Sequence, residues 1–146
     1  MKRLLLSLLL APLLSAPALV AGEKANTVVL RPGETYYARF EQKGKKIKLL
    51  GAAKEKDGQA QLVISLSAKG KDGIATLKLE STFRDDVIYK ATIRSNVLKR
   101  HMALPVYPIV GGKMGTVEVP PLVDEVALSD FQFEPATLIE KEKADH

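Results

Sequence analysis

His101, Met102 and Met114 are the side chains of this sequence best suited to metal chemistry. Imidazole nitrogen and thioether sulfur both suit reduced copper. His101 and Met102 are adjacent, and Met114 follows Met102 by twelve residues, so three such donors share one stretch of chain. The chain has no cysteine. That removes thiol catalysis, cysteine-ligated zinc, disulfides and lipid attachment at a lipobox cysteine.

The order His101, Met102, Met114 is similar to a fragment of the pattern in periplasmic cupredoxin-like copper chaperones, which carry a His, often followed by Met, and a further Met about a dozen residues on. The resemblance implies copper handling by these three residues. It covers only them: the family's later His-x-Met pair is absent, and the one other histidine is the terminal His146. A high-affinity site needs its full ligand count. The competing expectation is an exposed strand-end histidine with two methionines filling gaps.

Other chemistries find less. A nucleophile needs a base held by a third group, and His101 is the only internal histidine. No Gly-x-Ser-x-Gly elbow occurs. Asp85-Asp86 and Asp124-Glu125 are paired carboxylates, but neighbours in a strand point to opposite faces and cannot flank one bond. The segment from Lys69 to Gly73 lacks the spacing of a phosphate loop and reads as a turn. The expectation is a protein that is not an enzyme and holds no cofactor.

Two surface features remain. Lys43, Lys45, Lys46 and Lys48 are closely spaced, with Tyr36, Tyr37 and Phe40 just upstream. They suit an anionic ligand such as a lipid headgroup or a lipopolysaccharide phosphate, or else protect an edge strand from aggregation. Residues 100–119 are rich in Pro and Gly and carry Leu104, Val106, Tyr107, Ile109 and Val110. Long irregular segments of this kind either bind partners or pack as Ω-loops. These five residues are the candidate partner surface.

The elements that must position these residues follow a leader. Lys2 and Arg3 precede a leucine-rich run from Leu4 to Leu14, and Pro17 and small residues follow. Residues 1–22 therefore read as a cleaved secretory signal peptide. Pro12 and Pro17 argue against an uncleaved anchor helix. The leader holds two basic residues and no acidic one, so its removal leaves 124 residues and takes the formal charge from +5 to +3. Export and so modest a charge weaken any nucleic-acid role. Export without cysteine points to the periplasm, because small secreted domains elsewhere lean on disulfides.

Beyond the leader, apolar residues alternate with a period of two. Tyr36, Ala38 and Phe40 share one face; so do Leu62, Ile64 and Leu66, then Ala75, Leu77 and Leu79, then Val87, Tyr89, Ala91 and Ile93. Period two is the mark of a half-buried strand. Asp57-Gly58 and Asp72-Gly73 read as hairpin turns. Val106 to Val110 and Thr116 to Val119 read as edge pieces, and Leu122 to Leu128 with Phe131 to Phe133 as the last strand or pair. The expected fold is an all-β antiparallel sandwich of seven or eight strands over 23–134, loosely immunoglobulin-like. Residues 135–146 form a polar tail. The expected role is an exported, non-catalytic binding or accessory protein. It meets another envelope protein through an edge strand or the 100–119 segment. Copper handling and binding of anionic envelope components are the alternatives.

Overall fold

The computed structural model describes residues 26–134. The expected signal peptide and the polar tail lie outside the described residues. Among the described residues there are nine strands and no helix: β1 (Val28–Leu30), β2 (Thr35–Lys43), β3 (Lys46–Ala53), β4 (Leu62–Leu66), β5 (Ala75–Ser81), β6 (Val87–Ser95), β7 (Arg100–Leu104), β8 (Met114–Val119) and β9 (Glu125–Phe133). They form a four-stranded sheet ordered β1-β9-β6-β7 and a five-stranded sheet ordered β3-β2-β4-β5-β8. All pairings are antiparallel.

The period-two pattern places the core. Tyr36, Ala38 and Phe40 of β2 are buried, as are Leu62, Ile64 and Leu66 of β4 and Leu77 and Leu79 of β5. They meet Val87, Tyr89, Ala91 and Ile93 of β6 and Val126 and Leu128 of β9 in a single hydrophobic core shared by both sheets. A fully buried Leu, Ile or Val contributes about 1.5–3 kcal/mol, and with no cysteine this burial must hold the sheets together. Phe40 from one sheet and Phe131 from the other sit edge to face, ring centres 5.2 Å apart. Burial pushes the Tyr89 phenol up to about 12, so it packs there as a neutral group.

Two local expectations need correction. Asp57-Gly58 does not close a hairpin. β3 and β4 lie on opposite sides of β2, so this loop crosses over the strand between them. Asp57 instead holds the loop down: its carboxylate accepts from Arg39 Nε, from Arg39 Nη2 at 2.9 Å and from the Gln59 N–H at 3.0 Å. The same contacts hold its carboxyl below the usual range. Gln61 then extends the ladder with its side chain, accepting from the Phe40 N–H at 2.9 Å and donating to the Phe40 carbonyl at 3.0 Å. Asp72-Gly73 does join paired strands, with Gly73 at a φ of 80°.

The second correction is the strand count. β7 was hidden because Arg100-His101-Met102-Ala103-Leu104 shows no contrast between its faces. Of the two readings open for the end of the domain, a last strand or a pair, the structure has the single strand. Leu128 and Phe131 belong to one strand, β9, kinked by an extra residue against β6 between Ser129 and Gln132. Asp130 sits at this bulge with a φ of 55°, a conformation Asp tolerates better than most residues.

Candidate functional site

The 100–119 segment resolves into two sheet edges and the corner joining them. β7 pairs with β6 from Ala91 to Ser95. The chain leaves at Pro105, and Ile109 returns to bridge Val87 of the same strand. Ile109 and Val87 exchange both backbone hydrogen bonds, at 2.8 and 2.9 Å. Residues 100–109 thus run along one edge of β6, interrupted where Pro105 and Pro108 lack an N–H. Leu104 and Ile109 are core residues, 7% and 1% exposed, and Val106 packs against the core. Of the five candidate partner residues, only Tyr107 at 81% and Val110 at 49% face solvent.

The corner is Val110 to Lys113. The Gly111 N–H donates to Asp86 Oδ1 at 2.9 Å, so Asp86 ties the corner to the β5–β6 crossing. Asp124 Oδ2 accepts from the Asn96 N–H at 2.6 Å, and Glu125 Oε1 lies 3.3 Å from Arg31 and 2.9 Å from Arg94. Asp86, Asp124 and Glu125 are thereby engaged in holding loops and strand ends.

The three metal candidates are dispersed. His101 is exposed on β7 opposite Arg94, while Met102, next in the strand, packs toward the core opposite Ile93. Strand alternation sends their side chains to opposite faces. Met114 is 57% exposed on β8, in the other sheet. Among the described residues, no group of three or more His, Asp or Glu side chains is placed to hold a metal ion.

The four edge positions of the two sheets differ in their protection. β1 is three residues long and ends at Arg31-Pro32. β3 carries outward Lys46, Lys48 and an extra residue, Leu50, at a bulge. β7 leads into Pro105 and Pro108. Short length, lysine, bulge and proline are the devices that blunt edges. β8, Met114-Gly115-Thr116-Val117-Glu118-Val119, has no lysine, proline or bulge, and its one charged residue is the exposed Glu118.

Its hydrogen-bonding polarity follows from the register. The Ser81 N–H donates to the Lys113 carbonyl at 3.0 Å. In an antiparallel ladder, pairs alternate, so residues 115, 117 and 119 turn their N–H and C=O toward β5. Met114, Thr116 and Glu118 turn theirs to the open side. Among the described residues no backbone hydrogen bond outside the β5 ladder reaches these three. The edge piece expected at Thr116 to Val119 is part of β8, and which side of it stays unpaired is set by the folded sheet.

The lysine group lies on the β2–β3 hairpin. Lys43 stands directly opposite Lys46, and Lys48 opposite Glu41. Lys43 Nζ lies 3.4 Å from Glu41. Lys48 also lines an open cleft of about 490 Å³ between β3 and β9, with Asn26, Lys90, Asp130 and Gln132 around it and Ile47, Leu49 and Phe131 in its walls. Lys90 comes from the opposite sheet and lies 3.6 Å from Asp130. Sequence reasoning did not foresee Lys90 in this company.

No family model, no curated protein and no solved structure matches the chain.

Proposed function

We propose that this chain is an exported, non-catalytic binding or accessory protein that takes an extended strand of another envelope protein onto β8. The observation that carries the reading is the open edge: outward N–H and C=O groups at Met114, Thr116 and Glu118, on a strand without lysine or proline. Strand addition draws affinity from such main-chain groups and specificity from alternate side chains. The leader-like composition of residues 1–22 supports export, and the missing cysteines support a periplasmic site. The immunoglobulin likeness is confined to two antiparallel sheets on one core. An immunoglobulin constant domain keeps its second and third strands in different sheets, whereas β2 and β3 are neighbours here.

Proline at Thr116 is the sharpest probe. It removes an N–H that faces the open side, and edge strands tolerate such a residue. A photo-cross-linking residue at Glu118 is expected to capture one defined partner chain in the periplasmic fraction. Thr116→Pro should reduce that capture by about tenfold or more, since it deletes a hydrogen bond and adds a steric block. Its melting temperature should stay close to that of the parent. Capture unaffected by the proline, or recovery of the chain from the cytoplasm alone, would overturn the reading.

A further inference from the structure

We propose that the cleft between β3 and β9 binds a phosphate-type anion, held between the ammonium groups of Lys48 and Lys90 with the side-chain amides of Asn26 and Gln132 as additional donors. This site is separate from β8, which sits at the far edge of the same sheet as β3.

Three observations converge on it. The first is juxtaposition. Lys48 from the five-stranded sheet and Lys90 from the four-stranded sheet line one cleft of about 490 Å³, together with two neutral amides and a single carboxylate, Asp130. Ammonium and amide N–H groups around a concave space are the donors a phosphate oxygen requires.

The second is uncompensated charge. At the opposite end of the sandwich, Arg31 and Arg94 share Glu125 at 3.3 and 2.9 Å. In the cleft, Lys48 has no carboxylate within salt-bridge distance among the described residues. Asp130 holds Lys90 only across 3.6 Å, with both side chains largely in solvent.

The third is the hairpin that leads into the cleft. Lys43 and Lys46 face each other across the β2–β3 ladder, with Lys45 in the turn. Like charges directly opposite destabilise a strand pair. Glu41 offsets Lys43 at 3.4 Å, while Lys45 and Lys46 have no carboxylate within salt-bridge distance among the described residues. The hairpin lysines extend the positive field beyond the cleft mouth.

The same chemistry is offered by a phospholipid headgroup and by a soluble phosphate ester, and the test separates them. Inorganic phosphate is titrated into the purified protein while the side-chain amide resonances of Asn26 and Gln132 are followed by NMR. They are expected to shift and saturate. Lys48→Gln and Lys90→Gln should each weaken binding by about tenfold, as loss of one charge-assisted contact implies. Asp130→Asn should tighten it by about threefold, because a competing carboxylate is removed while a side chain that tolerates the positive φ is kept. A merely structural role for these exposed residues would not give opposite signs. In parallel, the protein is pelleted with vesicles of phosphatidylcholine alone or with added phosphatidylglycerol. Lysine-dependent pelleting only with phosphatidylglycerol supports a headgroup ligand, and phosphate binding without pelleting supports a soluble ester. The proposal is overturned if neither vesicles nor phosphate engage the protein, or if the Asn26 and Gln132 shifts persist in the double Lys48→Gln, Lys90→Gln variant.

Discussion

Gly111→Ala is expected to destabilise the protein by about 4 kcal/mol. A Cβ built on Gly111 meets the Arg84 carbonyl oxygen at 2.1 Å and the Arg84 carbonyl carbon at 2.6 Å. Both atoms are backbone, so no side-chain rotation relieves the contact. Overpacking ordinarily costs about 1–3 kcal/mol through shifted side chains, and here the main chain of the β5–β6 crossing has to move instead. That movement also pulls the Gly111 N–H from Asp86. Two of the crossings between the sheets, β5–β6 and β7–β8, meet at this point, so the damage reaches both. Thermal unfolding should show a Tm lower by on the order of 15 °C, given typical slopes for a domain of this size. Gly58→Ala is the matched control: its Cβ meets nothing within 4 Å, and its Tm should hardly change. Equal melting of the two variants would show that the corner is not packed as described.

Phe40→Ala is expected to cost about 3–5 kcal/mol. Phe40 is buried on β2, with the Phe131 ring centre at 5.2 Å and the Phe83 ring centre at 5.6 Å, both edge to face. Phe83 continues the contact to Phe133 at 5.3 Å. Truncation therefore opens a cavity where the two sheets touch and removes two aromatic pairs, each worth about 0.5–1.5 kcal/mol beyond burial. Phe40→Leu keeps most of the volume and should cost roughly half as much. Urea unfolding of both variants checks this. A Phe40→Ala loss below about 1.5 kcal/mol would contradict the packing, because only a partly exposed ring gives so little.

How much of this was legible in the sequence depends on which contacts a residue type can announce. Alternation announced β2, β4, β5 and β6 because one face of each meets the common core and the other meets solvent. It missed β7, whose Arg100 and His101 are exposed on opposite faces and whose Met102 is only half-buried, so the faces look alike. Asp57-Gly58 misled because turn chemistry is local, whereas the choice of partner for β3 and β4 is settled by β2 lying between them. The end of the domain stayed open between one strand and a pair because the extra residue at the β9 bulge shifts the period between Leu128 and Phe131.

The site was less legible still. The run from Leu104 to Val110 looked like one apolar surface, yet Leu104 and Ile109 face inward and only Tyr107 and Val110 face outward. The lysines of the β2–β3 hairpin were visible as a cluster, but Lys90 joins Lys48 only through the packing of one sheet on the other. His101 and Met102 were adjacent in sequence, and adjacency in a strand is what separates them. In each case the deciding information is which face or edge lacks a neighbour, and that is a property of the folded sheets.

The central claim is that β8 is an open edge that accepts a strand. Residue-resolved amide hydrogen exchange tests it most directly. The added probe is a capped peptide of alternating valine and threonine ending in lysine, N-methylated along one edge so that it cannot pair with itself. In the protein alone, the Gly115, Val117 and Val119 amides should be protected by β5, while those of Met114, Thr116 and Glu118 exchange freely. With the peptide present, protection of Met114, Thr116 and Glu118 should rise by about tenfold or more, and the rise should vanish in Thr116→Pro. Protection of all six amides before any peptide is added, or no change at the three outward amides on its addition, would contradict the account.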